Sequence, residues 1–190
     1  MGKLVLIIGG ARSGKSQLAE TMAQGALSLP AARKVAYLAT SEALDDEMRE
    51  RIRKHRARRP KSWQTFEQPL DLDKLVPKLS GKFDAIIIDC ATLYVTNVLL
   101  RQEAGPVTEG DVLAAVDRLV KACLETEATV IIVSNEVGSG IVPDNAMARQ
   151  FRDIMGFANQ RIAAAAEEVY FTVAGIATRI KPVGNARPHA

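Results

Sequence analysis

A glycine-rich segment near the start of the chain holds the residues best suited to chemistry. It consists of Gly9, Gly10, Ala11, Arg12, Ser13, Gly14, Lys15 and Ser16, and it matches the phosphate-binding pattern G-x-x-x-x-G-K-[ST]. In this pattern backbone N–H groups of the turn surround the phosphates of a nucleotide at the N-terminus of the following helix. The lysine reaches the β and γ phosphates, and the serine hydroxyl binds Mg²⁺. The match predicts a nucleotide-phosphate site and disfavours an ordinary turn between a strand and a helix.

Asp89 is a second candidate, because it closes the apolar run Ile86-Ile87-Ile88. An acidic residue at the end of such a strand holds Mg²⁺, usually through water, in enzymes that carry this kind of phosphate loop. The alternative is a strand-end aspartate that caps a helix or a turn. In combination with the phosphate loop, the position favours the metal-binding role for Asp89.

His55 lies in an unusually basic segment that begins with three acidic residues at positions 45–47. Acids in a first turn complement the helix dipole, so the segment is predicted to be helical. Basic neighbours three and four positions away would depress the pKa of the His55 imidazole and favour its neutral, nucleophilic form. Two other interpretations stay open. The segment fits a solvated basic helix, and it fits an RNA-binding surface, although it lacks interleaved aromatic side chains.

Short apolar runs alternate with helical patterns along the chain, which argues for parallel strands joined by helical crossovers. The predicted strands cover residues 4–8, 35–39, 83–89, 129–135 and 168–174, and the predicted helices cover residues 15–26, 112–125 and 145–166. Ligands of an open α/β sheet bind beyond the carboxyl ends of its strands. This rule makes Thr40, Ser41 and the loop after Asn135 further site candidates. Residues 136–143, with two glycines and a proline, fit either a plain connection or a mobile flap.

The composition is that of one ordinary globular domain, because 47% of the 190 residues are hydrophobic and 25% are charged. We predict a domain over residues 1–181 and a flexible tail over residues 182–190. The sequence shows neither a membrane segment nor a signal peptide, so we expect a cytoplasmic protein. Cys90 and Cys123 are predicted to be core residues. A net charge of +3 gives little support for nucleic acid as a partner.

Several groups of residues together resemble the family of bifunctional adenosylcobinamide kinase / adenosylcobinamide-phosphate guanylyltransferases of cobalamin biosynthesis. They are Gly9–Ser16, Ala39-Thr40-Ser41, Asp45–Met48 with Arg51, Ile52 and His55, Arg59-Pro60 with Trp63, Asn135–Pro143, Ala148-Arg149, Phe151–Asp153 and Asn159–Arg161. The resemblance extends from Leu4 to about Lys181. The phosphate loop is shared by many enzymes, whereas the His55 segment and residues 135–143 are far more specific.

This resemblance implies a single-domain P-loop NTPase fold of the RecA-like type, with a mostly parallel sheet and helices on both faces. It implies two reactions with ATP and GTP as substrates. Adenosylcobinamide is phosphorylated, and GMP then passes from GTP through a guanylylated histidine to adenosylcobinamide phosphate, giving adenosylcobinamide-GDP. The family's guanylylated histidine falls on His55. Its nucleotide contacts fall on Gly9–Ser16, Ala39, Thr40, Ser41, Ile52, Arg53, Lys54, Arg56, Glu67 and Asp89, and its metal contacts on Ser16 and Asp89.

The resemblance further implies a homo-oligomer, specifically a trimer, with a small-molecule substrate and no nucleic acid partner. Two other functions stay open from the sequence. One is a small-molecule kinase or NTPase of the same fold with a single activity, in which the His55 helix is only a basic lid. The other is a non-enzymatic RNA-binding module that uses the basic helix.

Overall fold

The fold is a seven-stranded sheet flanked by helices. The computed structural model describes residues 2–25, 31–32, 34–41, 50, 53, 59–101 and 106–182. The strands are β1 (Leu4–Gly9), β2 (Val35–Ala39), β3 (Gln64–Glu67), β4 (Ala85–Asp89), β5 (Thr129–Asn135), β6 (Glu168–Val173) and β7 (Ile176–Lys181). The helices within the described ranges are α1 (Lys15–Ala23), α2 (Leu72–Leu79), α3 (Ala91–Leu99), α4 (Glu109–Glu125) and α5 (Ala146–Ala165).

The strands follow the order β3-β2-β4-β5-β1-β6-β7 across the sheet. All neighbouring strands run parallel except β6 and β7, which form an antiparallel hairpin. In this order β5 lies between the strand that leads into the phosphate loop and the strand that ends at Asp89. Because the parallel strands point the same way, the carboxyl ends of β1 to β6 meet at one edge of the sheet.

Both faces of the sheet are covered, which explains why the strands are apolar at successive positions. Val5 and Ile7 of β1 pack in one cluster with Ala19 and Met22 of α1. Leu4 and Leu6 point to the other face, where they join a larger cluster. That cluster draws on α2, α3, α4 and α5. The structure therefore confirms the predicted single-domain α/β fold, with a mostly parallel sheet and helices on both faces.

Most predicted elements are confirmed with small shifts at their ends. The strands predicted at 35–39 and 129–135 have the observed bounds, and the strand predicted at 83–89 begins at Ala85. The first helix ends at Ala23, and Gly25 follows in the left-handed region with φ 97°. The helix predicted to begin at Val112 begins three residues earlier. Its start is fixed by a capping box between Thr108 and Asp111.

Several further features bear on the remaining predictions. The elements β3, α2, α3 and β7 are additional to the predicted ones. Cys90 and Cys123 are buried, as predicted, and burial raises the pKa of both thiols. Of the predicted tail, residues 183–190 lie outside the described residues. None of the helices in the described part of the chain combines the length and the apolar character needed to cross a membrane.

Candidate nucleotide site

The phosphate loop connects β1 to α1 through backbone angles that few residues adopt. Gly14 immediately precedes α1 with φ 100°, and Arg12 has φ 56°. Glycine adopts such angles without strain, whereas a side chain such as that of Arg12 pays a steric cost. Gly9 is required for a different reason. A Cβ at Gly9 would lie 2.4 Å from the Thr172 carbonyl oxygen and 2.8 Å from the Ser13 hydroxyl.

The β6–β7 hairpin holds the phosphate loop from the side. The hydroxyls of Ser13 and Thr172 are hydrogen-bonded at 2.7 Å, and both side chains are buried. The Gly175 N–H, in the hairpin turn, donates to the Ser13 carbonyl at 3.0 Å. These two contacts fix the middle of the loop to a hairpin that lies more than 150 positions later in the chain. Neither Thr172 nor Gly175 belongs to the phosphate-binding pattern, so neither could be identified as a site residue from the sequence.

Lys15 and Ser16 begin α1 and complete the loop. Lys15 is only 7% exposed, and its Nζ donates to the Gly10 carbonyl at 2.5 Å, across the turn. Ser16 is half-buried, and no acidic residue stands in the first turn of α1. The helix N-terminus and the lysine therefore place positive charge at the loop, which favours binding of phosphate groups.

Asp89 ends β4 and is held by a tyrosine of the neighbouring strand. The Tyr37 hydroxyl donates to Asp89 Oδ2. Tyr37 pairs with Ile87 in the sheet, so Asp89 lies two residues further along on the face covered by α1. Burial, and then the negative charge of Asp89, raise the pKa of Tyr37 well above its ordinary value. Tyr37 is therefore a permanent hydrogen-bond donor at this position.

Arg59 lies over the same tyrosine. Its guanidinium carbon is 3.4 Å from the centroid of the Tyr37 ring, and its Nη1 donates to the Thr65 hydroxyl at 3.3 Å. Thr65 pairs with Tyr37 across β2 and β3. Neither Tyr37 nor Arg59 was predicted as a site residue from chemistry. The feature of the sequence that could have identified Tyr37 is its hydroxyl, which stands in a strand that is otherwise purely aliphatic.

Thr40 follows β2, and its side chain faces the protein. It is fully buried, and its Oγ1 accepts a hydrogen bond from Cys90 N at 2.7 Å and donates to Cys90 O at 2.8 Å. Asn97 of α3 donates to the Thr40 carbonyl at 2.9 Å. The hydroxyl of Thr40 thus ties the end of β2 to the start of α3. The next residue, Ser41, is half-buried.

The structure brings together only some of the other residues that were predicted to contact the nucleotide. Glu67, Ala39 and Asp89 occupy one row of the sheet, as aligned residues of β3, β2 and β4. Arg53 is exposed and bonds Glu50 through two nitrogens at 2.7 and 2.8 Å. The predicted nucleophile and three of its predicted neighbours, His55, Ile52, Lys54 and Arg56, lie outside the described residues.

The loop after β5 is braced by its own carboxylate and by two arginines of α5. Glu136 accepts hydrogen bonds from Gly138 N at 2.6 Å and Ser139 N at 3.0 Å. Arg152 donates to the Gly138 carbonyl at 2.6 Å, and Arg149 donates to the Pro143 carbonyl at 2.9 Å. Desolvation alone would raise the pKa of Glu136. The bonds from Ser139 and Gly138 and the nearby Arg152 outweigh it and lower that pKa.

A buried polar network supports the start of this loop. The Ser134 hydroxyl donates to Asn159 Oδ1 at 2.6 Å, and Asn159 Nδ2 donates to the Asn135 carbonyl at 3.0 Å. The Thr92 hydroxyl accepts from Asn135 N at 2.7 Å. Since buried polar groups need partners, these bonds fix the end of β5 relative to α3 and α5. Of these residues only Asn135 and Asn159 stood out in the sequence.

The described residues contain no cluster of three or more His, Cys, Asp and Glu side chains able to hold a metal ion by themselves. Ser16 and Asp89, the two predicted metal contacts, both offer oxygen atoms. Mg²⁺ in nucleotide sites is usually held by only one or two protein oxygens, together with phosphates and water. The two oxygen donors Ser16 and Asp89 therefore fit Mg²⁺ that is bound together with a nucleotide rather than alone.

Comparison with known proteins gives matches over nearly the whole chain. The family model described as "CobU: Cobinamide kinase / cobinamide phosphate guanyltransferase" matches residues 5–180. The chain is 44% identical over 186 residues to the "Bifunctional adenosylcobalamin biosynthesis protein CobU" of Salmonella typhimurium, covering 94% of this chain and 99% of that protein. It is 41% identical over 178 residues to the CobP protein of Pseudomonas aeruginosa with the same description, covering 93% and 96%.

Among solved structures, the chain is similar to the flagellar accessory protein FlaH of Methanocaldococcus jannaschii. The TM-score is 0.46 at 17% identity, and the match covers 94% of this chain and 76% of that one.

Proposed function

The chain belongs to the cobinamide kinase / cobinamide phosphate guanyltransferase family, and we propose that it uses its phosphate loop for both activities and His55 to carry GMP. It phosphorylates adenosylcobinamide with ATP or GTP, and it then transfers GMP from GTP to adenosylcobinamide phosphate. The observation that carries the proposal is the family match over residues 5–180. The geometry of Gly9–Ser16, with Lys15 buried at the start of α1, supports it chemically.

In the kinase reaction, the aminopropanol oxygen of adenosylcobinamide attacks the γ phosphorus, and the bond to the nucleoside diphosphate breaks. Phosphoryl transfer needs positioning and charge stabilisation more than covalent help from the protein. The N–H groups of the loop and the Lys15 ammonium provide both. We expect the hydroxyl proton to leave with solvent or with the phosphates, because no described residue stands out as a base.

In the guanylyltransferase reaction, a nitrogen of His55 attacks the α phosphorus of GTP. The N–P bond forms while the bond to pyrophosphate breaks. An oxygen of adenosylcobinamide phosphate then attacks the same phosphorus and releases the histidine. A covalent intermediate divides one difficult transfer into two easier ones. The basic residues that surround His55 in the sequence would stabilise the negative charge of each step.

Mg²⁺ is part of this proposal. Ser16 and Asp89 would hold it, and one oxygen of Asp89 is already supported by the Tyr37 hydroxyl. Ligating carboxylates commonly have such hydrogen-bonded partners. When bound, Mg²⁺ neutralises charge on the β and γ phosphates. The nucleotide contacts predicted at Ala39, Thr40, Ser41, Arg53 and Glu67 belong to the same proposal, as do those predicted at Ile52, Lys54 and Arg56.

The proposal includes a homotrimer in the cytoplasm that acts on small molecules and binds no nucleic acid. Large apolar side chains are exposed in the loop before α5 and on the β6–β7 hairpin, including Ile141 at 97% and Ile176 at 71%. Exposed apolar groups of this kind are suited to contacts between subunits. Sedimentation equilibrium should give about three times the mass of the chain, and a monomer would contradict this part.

The decisive experiment incubates the protein with adenosylcobinamide and GTP and identifies the products by mass. We expect both adenosylcobinamide phosphate and adenosylcobinamide-GDP. Lys15→Ala should abolish both products, because the loop loses the cation that faces the phosphates. If only the phosphate forms, the chain is a kinase with one activity. If neither forms and the protein binds RNA with steep salt dependence despite Lys15→Ala, the RNA-binding alternative is favoured.

A second measurement tests the nucleophile directly. Incubation with [α-³²P]GTP should leave label that is labile in acid and stable in alkali, as expected for a phosphoramidate. His55→Ala should carry no label, whereas His189→Ala should be labelled like the wild type, since His189 lies next to the C-terminus. Unchanged labelling of His55→Ala would refute the assignment of the nucleophile.

A further inference from the structure

Tyr37 contacts Asp89, and neither proposed reaction assigns it a step of its own. It is fully buried in β2, and its hydroxyl donates to Asp89 Oδ2 at the carboxyl end of β4. Tyr37 and Asp89 point to the same face of the sheet, the face covered by α1. A carboxylate with one oxygen fixed in this way presents its second oxygen in a defined direction.

Arg59 fixes the tyrosine in turn. The Arg59 guanidinium carbon Cζ lies 3.4 Å from the centroid of the Tyr37 ring, which is close for a cation over an aromatic face. Its Nη1 donates to Thr65 on the neighbouring strand. Arg59 Nε is buried and has no hydrogen-bond partner in the part of the chain that the structure describes. Among these residues, the ring of Tyr37 and the Thr65 hydroxyl therefore determine where the guanidinium lies.

We propose that Tyr37 is a positioning residue that orients the Asp89 carboxylate toward its magnesium ion, and that Arg59 holds the Tyr37 ring in place. The proposal rests on the proposed function in one respect, namely that Asp89 is a metal contact. Hydrogen-bonded partners of metal-binding carboxylates fix their orientation, and loss of such a partner typically weakens metal binding by about 10–100-fold. The competing explanation is that Asp89 serves only to satisfy a buried tyrosine hydroxyl.

The conservative variant Tyr37→Phe separates these explanations, because it keeps the ring under Arg59 and removes only the hydroxyl. Binding of the fluorescent nucleotide N-methylanthraniloyl-GDP is measured over a range of Mg²⁺ concentrations. We expect the half-saturating Mg²⁺ concentration to rise about tenfold in Tyr37→Phe, the lower end of the range for such partners. Nucleotide affinity in excess EDTA should stay at the wild-type value, because the phosphate loop is intact.

Tyr170→Phe is the matched control. Tyr170 is also buried, and its hydroxyl also donates to a carboxylate, Glu168 Oε2 at 2.9 Å, but at the opposite edge of the sheet. It should leave the Mg²⁺ dependence unchanged. If Tyr37→Phe matches the wild type, or if Tyr170→Phe shifts the Mg²⁺ dependence equally, the proposal is overturned.

A double-mutant cycle tests whether Tyr37 acts through Asp89. In the Asp89→Asn background, Tyr37→Phe should cause no further change in Mg²⁺ dependence, because the carboxylate that it orients is gone. An additive effect would overturn the proposed route. The assay uses no corrinoid. The Mg²⁺ measurement can therefore be interpreted even if the cobinamide reactions are not observed. Conversely, an unchanged Mg²⁺ dependence in Tyr37→Phe would not contradict the two proposed reactions.

Discussion

Two clusters of similar composition lie at opposite ends of the strands, and their positively charged side chains are placed differently. One contains Tyr37, Asp89 and Arg59 near the carboxyl edge, and the other contains Tyr170, Glu168 and Arg179 near the amino edge. In each, a buried tyrosine hydroxyl donates to the carboxylate. The difference lies in the position of the cations.

At the amino edge the cations bind the carboxylate itself. Glu168 is 6% exposed, and its Oε1 lies 2.7 Å from Lys3 Nζ and 3.6 Å from Arg179 Nη1. A buried carboxylate needs such neutralisation, because an uncompensated buried charge costs several kcal/mol. At the carboxyl edge Asp89 forms no ion pair with any residue in the described ranges, and Arg59 faces the tyrosine ring instead. We infer that the Glu168 cluster stabilises the fold, and that the Asp89 cluster keeps a negative charge for a ligand cation.

The substitutions with the largest expected effect replace each of the two carboxylates by the corresponding amide. Asp89→Asn should lower the rate of adenosylcobinamide phosphorylation by about 100-fold, the upper end of the range for disturbed metal sites, because an amide binds Mg²⁺ less well than a carboxylate. Glu168→Gln should leave that rate unchanged and lower the free energy of unfolding by about 1–3 kcal/mol, since the ion pair between Lys3 and Glu168 is lost. Rates and urea unfolding curves of both variants provide the measurement. Equal effects of the two substitutions on the rate would remove the distinction between the clusters.

Substitution of Arg59 and of Arg179 should have smaller effects. Arg59 stands four positions after His55 in the sequence, and its stacking on Tyr37 anchors that end of the segment to the sheet. A desolvated cation–π contact contributes up to about 2 kcal/mol, so Arg59→Gln should slow guanylylation of the protein by about tenfold. Arg59→Lys should not restore the rate fully, because an ammonium lacks the planar stacking surface.

Arg179→Gln is the matched control for that experiment. Arg179 is half exposed and 3.6 Å from Glu168, so its loss should cost at most about 1 kcal/mol of stability and leave the labelling rate unchanged. Single-turnover labelling with [α-³²P]GTP measures both variants. Slower labelling in Arg179→Gln than in Arg59→Gln would contradict the assigned roles.

Elements with strong local signals were predictable from the sequence. The strands at 35–39 and 129–135 are short, mainly apolar runs that are buried on both faces, so their composition predicts them. By contrast α3 reads Ala-Thr-Leu-Tyr-Val-Thr-Asn-Val-Leu, in which β-branched residues obscure the helix. The strand β3 has only four residues and two polar ends, and it exists because β2 offers an edge to pair with.

The part of the site that consists of consecutive residues was predictable from the sequence. The contacts that depend on the register between paired strands were not. The phosphate loop is one continuous segment, and the spacing of its glycines and lysine forms a local pattern that predicts it. The bond between Tyr37 and Asp89 joins residues 52 positions apart, and it requires β2 and β4 to pair in one particular register. The contact of Ser13 with Thr172 spans 159 positions. Such contacts follow from the packed sheet, and no local pattern contains them.

A third carboxylate, Glu136, sharpens the comparison because its partners are backbone N–H groups. Its pKa is lowered below the ordinary 4.5, since the bonds from Ser139 and Gly138 and the charge of Arg152 outweigh desolvation. A lowered pKa means that the bonds stabilise the loop above pH 4.5 and are lost as the pH falls through the lower, folded-state value. NMR shifts of the Gly138 and Ser139 amides should therefore titrate with a midpoint below 4.5, and Glu136→Gln should abolish the titration. A midpoint at or above 4.5 would show that these bonds do not brace the loop in solution, and would favour a flap over a fixed connection.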